Sequence, residues 1–206
     1  MNEILKYLYY RIMGYVYVPE LIKNIDEKKL VHISDTPVIF FEAVKKLLKD
    51  LSPNVIIHTG DMVDNIKLSV NKHQLPRYEN HLQRIIQILE SSSAEDIYMC
   101  VGNHDNYELM HKFAKRSIIV KYSTCVNIFN TKATISHYPL EIIKNPSDYN
   151  FFGHDISLGN DMVNNRVYLN GVLSINILTS ETKKLFHLPY PISTNDARLL
   201  KGKIGL

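Results

Sequence analysis

Between residues 30 and 101, three short apolar runs alternate with two amphipathic segments of helical length, and this alternation restricts the fold more than any other feature. LVHIS (30–34), NVIIHTG (54–60) and IYMCV (97–101) read as strands. Between the first two, VIFFEAVKKLLKDL places Phe41, Val44, Leu47 and Leu48 at helical spacing. Between the second and third, Leu75, Tyr78, Leu82, Ile85, Ile86 and Leu89 define one face of a long helix. Strand, helix, strand implies a parallel crossover. After Val101 a short helical stretch, NYELMHKFAKR, precedes SIIV, VNIF and KATIS, which are too short and too β-branched for helices. NFFG (150–153) is a further strand ending in Gly, and RVYLN, VLSINIL and KKLFHL follow with no helix between them. An α/β fold completed by antiparallel strands is the expectation.

A chain of 206 residues suits one domain, and 45% apolar with 22% charged residues excludes disorder, collagen-like repeats and a long coiled coil. The expected organisation is a Tyr-rich N-terminal extension over 1–29, the domain over 30–190 and a peripheral tail over 191–206. Five of thirteen tyrosines fall in residues 7 to 17. Packing on the domain is the favoured reading of the extension, and a homodimer contact is left open because aromatic residues are enriched in interfaces. Glu3, Lys6 and Arg11 interrupt its apolar run, which argues against a signal peptide or a membrane span. Cys100 and Cys125 lie in apolar runs and read as two buried thiols, consistent with a cytoplasmic protein. The formal charge of +3 is spread along the chain, with no basic block for nucleic acid.

Acid, amide and imidazole residues collect at the carboxyl ends of the strands. Asp35 follows LVHIS, Asp61 and Asp64 follow IIHTG, and Asn103, His104 and Asp105 follow MCVG. His137 ends ATIS, and His154 follows NFFG. In an open α/β sheet those ends share an edge where ligand crevices form. Carboxylate, amide oxygen and imidazole together suit a divalent manganese, iron or zinc ion, and two ions sharing a carboxylate could clamp the oxygens of a phosphoryl group. His32 and His58, inside strands, read as packed histidines.

The ordered segments SDTP, GDMVD, GNHD, SHYP and GHDI resemble the calcineurin-like metallophosphoesterase family over roughly residues 30 to 180. The resemblance implies a four-layer sandwich of two mixed β-sheets flanked by helices, with a dinuclear site at the strand ends. By position, Asp61 would bridge two ions, Asn103, His137 and His154 would complete the second site, and Asp35 would belong to the first. His104 would contact the phosphate or protonate the leaving group, with Asp64 hydrogen-bonded to it and favouring the imidazolium. Two family imidazoles are replaced, by Pro37 and by Ile156, and both losses fall on the first metal site.

The resemblance therefore implies a metal-dependent phosphoesterase acting on a phosphodiester or phosphomonoester, with one divalent ion held tightly and a second weakly. Three outcomes stay open: one ion working alone, a second ion held through a substitute such as Asp155 or Asp161, or a domain that has become a catalytically weakened scaffold. Lys67, Lys72, His73 and Arg77 follow Asp64, either steering a phosphorylated substrate or forming a solvated face, the latter favoured.

Overall fold

The computed structural model describes residues 2–198. Two helices, α1 (Glu3–Ile12) and α2 (Glu20–Lys23), precede β1 (Lys29–Ile33), α3 (Phe41–Leu51), β2 (Val55–His58), α4 (Leu75–Glu90) and β3 (Asp96–Cys100). Then come α5 (Tyr107–Phe113), β4 (Ile118–Val120), β5 (Ser123–Ile128), β6 (Thr131–Ser136), α6 (Pro139–Lys144) and β7 (Tyr149–Phe152). The chain continues through β8 (Asp161–Val163), β9 (Arg166–Asn170), β10 (Ile175–Thr179), β11 (Leu185–Leu188) and α7 (Ile192–Arg198). The strands form two mixed sheets, one in the order β11-β10-β1-β2-β3-β4 and one in the order β5-β6-β7-β9-β8.

The period of two along the strands explains why the sheets stack. Leu30, Val55, Ile57, Tyr98, Cys100 and Leu178 point toward the second sheet and pack there with Ile135, Phe151 and Leu169. Their neighbours Val31, Ile33, Ile56, Ile97, Met99 and Ile177 point the other way, into a core shared with Phe41, Val44, Leu47 and Leu48 of α3 and Leu82, Ile85 and Leu89 of α4. Both faces of the first sheet are thus buried, so its strands read as continuous apolar runs. Each large aliphatic side chain removed from water contributes about 1.5–3 kcal/mol.

Strands β1, β2, β3 and β4 are mutually parallel, as are β6, β7 and β9. The remaining pairings, β1 with β10, β10 with β11, β5 with β6 and β8 with β9, are antiparallel. Parallel strands place their carboxyl ends along one rim, and the two sheets present those rims to each other.

Several local expectations are corrected. Cys125 is exposed, because it alternates with Val126 and Ile128, which face the core between the sheets, and so lies on the other face of β5, whereas Cys100 is buried. Helix α6 and strand β8, on which the sequence carried no expectation, are too short and too little buried to show a period: α6 buries only Pro139 and Ile142, and β8 is exposed throughout. In the tail, residues 191–198 are not peripheral. Arg198 is 1% exposed, its guanidinium lies over the Tyr190 ring at 3.9 Å, and it donates to the carbonyls of Ser34 (3.2 Å) and Val172. Residues 199–206 of the expected tail lie outside the described residues. In the extension, Val16, Val18 and Ile22 join the core, while α1 buries no residue and leans on Tyr17 through the rings of Tyr7 and Tyr10.

Candidate metal centre

The loops after β1 and β2 are fastened together: Asp35 N donates to the Gly60 carbonyl and Thr36 N to that of Asp61, both at 3.0 Å. His58 fixes them from below. Its Nδ1 accepts from Gly60 N at 3.2 Å, so its Nε2 carries the hydrogen and donates to Thr36 Oγ1 at 3.0 Å, which in turn donates to the Met62 carbonyl. His58 and His32 are wholly buried, and burial pushes each ring down to about 3, so both are neutral structural histidines. Asp35, Asp61 and His154 all adopt left-handed backbone conformations, with φ of 51°, 53° and 67°. Non-glycine residues hold that conformation only where surrounding structure enforces it.

Asp105 provides much of that enforcement. Its carboxylate accepts from Asp61 N (2.7 Å), Met62 N (2.9 Å), Gly102 N (2.9 Å) and Tyr78 Oη (2.9 Å), locking the β2 and β3 loops to each other. Asp105 belongs to GNHD, yet its residue type alone gave it no role. Gly102 is required by close approach, since a Cβ there would overlap the Asp61 side chain. Gly60, at φ 98°, has a second constraint: a Cβ would lie 2.6 Å from His137 Nδ1.

Within this frame five side chains from separate strand ends meet. His104 N donates to Asp61 Oδ1 at 2.9 Å, and Asp61 Oδ2 lies 3.8 Å from His137 Nε2. Asn103 Oδ1 sits 3.0 Å from His137 Nε2 and 2.9 Å from His154 Nδ1, and the His154 backbone N–H reaches toward Asp35 Oδ2 at 3.5 Å. The Tyr138 ring stands edge-on to both imidazoles, at 4.8 and 5.0 Å. Asp35, Asp61, Asp64 and His137 are buried, Asn103 and His104 are half-buried, and His154 is exposed at the mouth.

The donor set fits a cation. His137 Nδ1 faces the Thr59 carbonyl at 2.6 Å, which can only accept, so Nδ1 carries the hydrogen. In the neutral ring, Nε2 then presents a lone pair toward the Asn103 amide oxygen and the Asp61 carboxylate. Electron-pair donors facing one another are satisfied by a metal ion, and mixed imidazole, amide and carboxylate ligation suits divalent transition metals. A second set overlaps it: Asp61, Asp64 and His104 each offer a ligand atom, all within 4.8 Å of one another.

Charges in the site oppose each other. Asp61 is pushed well above the usual carboxylate range, first by burial and then by the charges of Asp35, Asp105 and Asp64. Asp64 is pushed up to about 6 by burial and by Asp35, with Lys67 pulling the other way. His104 is pushed down to about 4 by burial and the Lys67 charge, and His154 is lowered by burial and then by His137. A cation among these groups reverses the logic, because it favours ionised carboxylates and neutral imidazoles.

The expected hydrogen bond from Asp64 to His104 is replaced. Lys67, one turn further on, takes Asp64 Oδ1, and His104 Nδ1 meets Ser69 Oγ at 2.5 Å. The imidazolium expected at His104 is therefore disfavoured. Of the considered substitutes, Asp155 turns its carboxylate back onto Ser157 (2.8 and 2.7 Å), and Asp161, exposed on β8, accepts from Met162 N. Pro37 opens the 3-10 turn Val38–Phe40, and Ile156 is 53% exposed.

Sheet rims that deliver carboxylate, amide and imidazole to one point between stacked sheets define a metallophosphoesterase-like α/β sandwich. The calcineurin-like phosphoesterase profile matches residues 28–197, and the chain belongs to that family. Among solved structures, an archaeal phosphodiesterase superposes with a TM-score of 0.53 at 21% identity, covering 77% of this chain and 98% of that one. Yfce, a phosphoesterase from E. coli, gives 0.53 at 13% identity, covering 79% and 99%. At these identities the likeness concerns the fold. Over 109 residues, 52% of this chain and 23% of the relative, the chain is 28% identical to a UDP-N-acetylmuramate–L-alanine ligase of Francisella philomiragia. It spans less than a quarter of that relative's length, and the ligase activity stays with the relative. Among the described residues no helix is long and apolar enough to cross a membrane.

Proposed function

We propose that the chain is a metal-dependent phosphoesterase that hydrolyses a phosphodiester or phosphomonoester with one dominant divalent ion, manganese, iron or zinc. The observation that carries this is the meeting of His137 Nε2, Asn103 Oδ1, His154 Nδ1 and Asp61 Oδ2, four atoms from separate strand ends that can each offer an electron pair to a common cation. When bound there, a divalent ion supplies a Lewis acid for a phosphoryl oxygen and an acidified water.

The chain's own residues do the rest. Asp61 is aimed by the His104 backbone N–H, and His137 is fixed in one tautomer by Thr59. Asp35, whose carboxylate accepts from Ser34 Oγ, stands beside the pair as the acceptor for a water proton. His104, half-buried at the mouth, is placed to meet the phosphoryl group or the leaving oxygen. A phosphate anion beside the ring favours its protonated form. Substrate thus restores the proton that burial, and then Lys67, discourage, and His104 gives it to the departing alkoxide.

The test is elemental analysis of desalted protein together with hydrolysis of bis-p-nitrophenyl phosphate and p-nitrophenyl phosphate across a Mn2+ titration. One ion per chain and metal-dependent turnover are expected. Protein that retains no ion and gains no activity on metal addition overturns the reading in favour of a scaffold.

A further inference from the structure

The carboxylate side of the rim already contains a cation. Lys67 has a left-handed backbone conformation (φ 51°), and its carbonyl accepts from Val70 N and Asn71 N, both at 3.0 Å. Its neighbours Ile66 and Leu68 are anchored in the core at 1% and 8% exposure. This tight turn directs the side chain inward, where its ammonium pairs with Asp64 Oδ1; the two side chains are 15% and 1% exposed. Asp64 is one of the three groups, with Asp61 and His104, whose ligand atoms lie close enough together to hold a metal ion. The Lys67 ammonium therefore sits on one arm of a cation cradle, with two further N–H donors unspent on Asp64.

A charge count points the same way. Asp35, Asp61 and Asp64 are buried at this rim, and the Asp105 carboxylate is enclosed by four donors. Against these four carboxylates stand two fixed cations, Lys67 and the buried Arg198 beneath the Ser34 and Asp35 carbonyls. With all four ionised, the state that a bound cation favours, two negative charges remain, the charge that one divalent ion neutralises. A second divalent ion would leave the pocket positive until a phosphate anion arrived.

We propose that Lys67 is a catalytic residue that takes the place of a second metal ion: its ammonium holds the Asp64 arm of the cradle, limits the site to one resident divalent ion, and donates to a non-bridging oxygen of the substrate's phosphoryl group. This rests on the phosphoesterase reading above and specifies how a single ion suffices for it. Lysine suits the task as a compact point charge with three rotatable N–H donors on a flexible stem.

The experiment compares the full-length wild type with Lys67→Met and Lys67→Arg by two binding readouts. In a Mn2+ titration followed by electron paramagnetic resonance, the wild type is expected to bind one ion. K67M is expected to bind a second at least about 10-fold more tightly than the wild type does, because the ammonium no longer repels it. With one equivalent of Mn2+ present, calorimetric titration with inorganic phosphate is expected to show an affinity loss of about 10- to 100-fold in K67M, the size of one charge-assisted hydrogen bond, with K67R close to wild type. Both readouts must move. K67M that still holds one ion, or that binds phosphate within about twofold of wild type, overturns the proposal while leaving the phosphoesterase reading intact. A wild type that binds no Mn2+ overturns both. Should the unpaired Asp64 unfold K67M, the double variant Asp64→Asn with Lys67→Met removes both charges together and must still show the phosphate loss.

Discussion

The two halves of the rim are built on opposite principles. The half supplied by β3, β6 and β7 presents Asn103, His137 and His154, an amide oxygen and two imidazole nitrogens, with two of them at or near the mouth. The half supplied by β1, β2 and the turn after Asp64 presents carboxylates, with Lys67 paired to Asp64 and Arg198 donating to the Ser34 carbonyl behind them. One half lacks a cation and the other carries its own. On the proposal above, an ammonium stands on the half where the sequence resemblance expects imidazoles and Pro37 and Ile156 are found, so the two halves differ without any change of backbone plan.

The largest effect is expected where that asymmetry is strongest. His137→Ala removes a ligand whose orientation Thr59 fixes, and Mn2+ affinity is expected to fall by about 100-fold or more, with ester hydrolysis falling in parallel. A Mn2+ titration of the variant checks this. Unchanged affinity would erase the distinction between the halves.

His104→Ala sharpens the comparison, because His104 lies between the halves. It touches Asp61 through its backbone, which alanine retains, and Ser69 through its ring. The ion count is expected to stay at one while turnover falls by about 10²- to 10⁴-fold, the usual range for acid–base assistance. Loss of the ion would place His104 among the ligands.

Gly102→Ala acts more indirectly. The added methyl would overlap both the Asp61 side chain and its backbone N, and the shift it forces is expected to reduce turnover by about 100-fold and to lower the melting temperature as well, since overpacking costs about 1–3 kcal/mol. Steady-state kinetics beside a thermal melt check both, and a variant with wild-type turnover would mean that Asp61 is not held in place by this close approach.

What could be read from the sequence follows the physics of each signal. Strand ends were legible because β1, β2 and β3 are apolar runs closed by small or polar residues, and the expectation of two mixed sheets holds. Strand β8 and helix α6 were not, since three exposed residues or a helix burying only Pro139 and Ile142 carry no periodicity. Within the site, the sequence located Asp61, Asn103, His137 and His154 at the strand ends that converge. It did not foresee that Lys67 would take Asp64, because nothing in GDMVDNIK shows that the turn after Asp64 winds left-handed and drives the ammonium inward. Arg198 was missed for a related reason: a basic residue near a terminus reads as solvated until its guanidinium is seen enclosed by Tyr190 and backbone carbonyls.

The smallest predicted effect sets the site's carboxylates against one outside it. Glu27 accepts from Glu181 N (2.8 Å), Thr182 N (2.9 Å) and Thr182 Oγ1 (2.8 Å), tying the segment before β1 to the turn between β10 and β11. The Thr182 N–H first, and then its hydroxyl and Glu181, hold its carboxyl down at about 2, below the ordinary 4.5. Stability from this lowered value is fully present above 4.5 and is lost as pH falls toward 2. Asp64 has the opposite sign in metal-free protein. Its value is raised from 3.8 to about 6, so the native state keeps a proton that the unfolded chain has released, and stability declines as pH rises between those values. Urea unfolding of Glu27→Gln and wild type is therefore expected to show a difference at pH 7 that shrinks toward pH 2. Asp64→Asn is expected to remove part of the decline between pH 4 and 6, and saturating Mn2+ to remove part of it in the wild type. A Glu27 difference that grows on acidification would mean that its three hydrogen bonds serve the protonated form, and the contrast between the two kinds of carboxylate would fail.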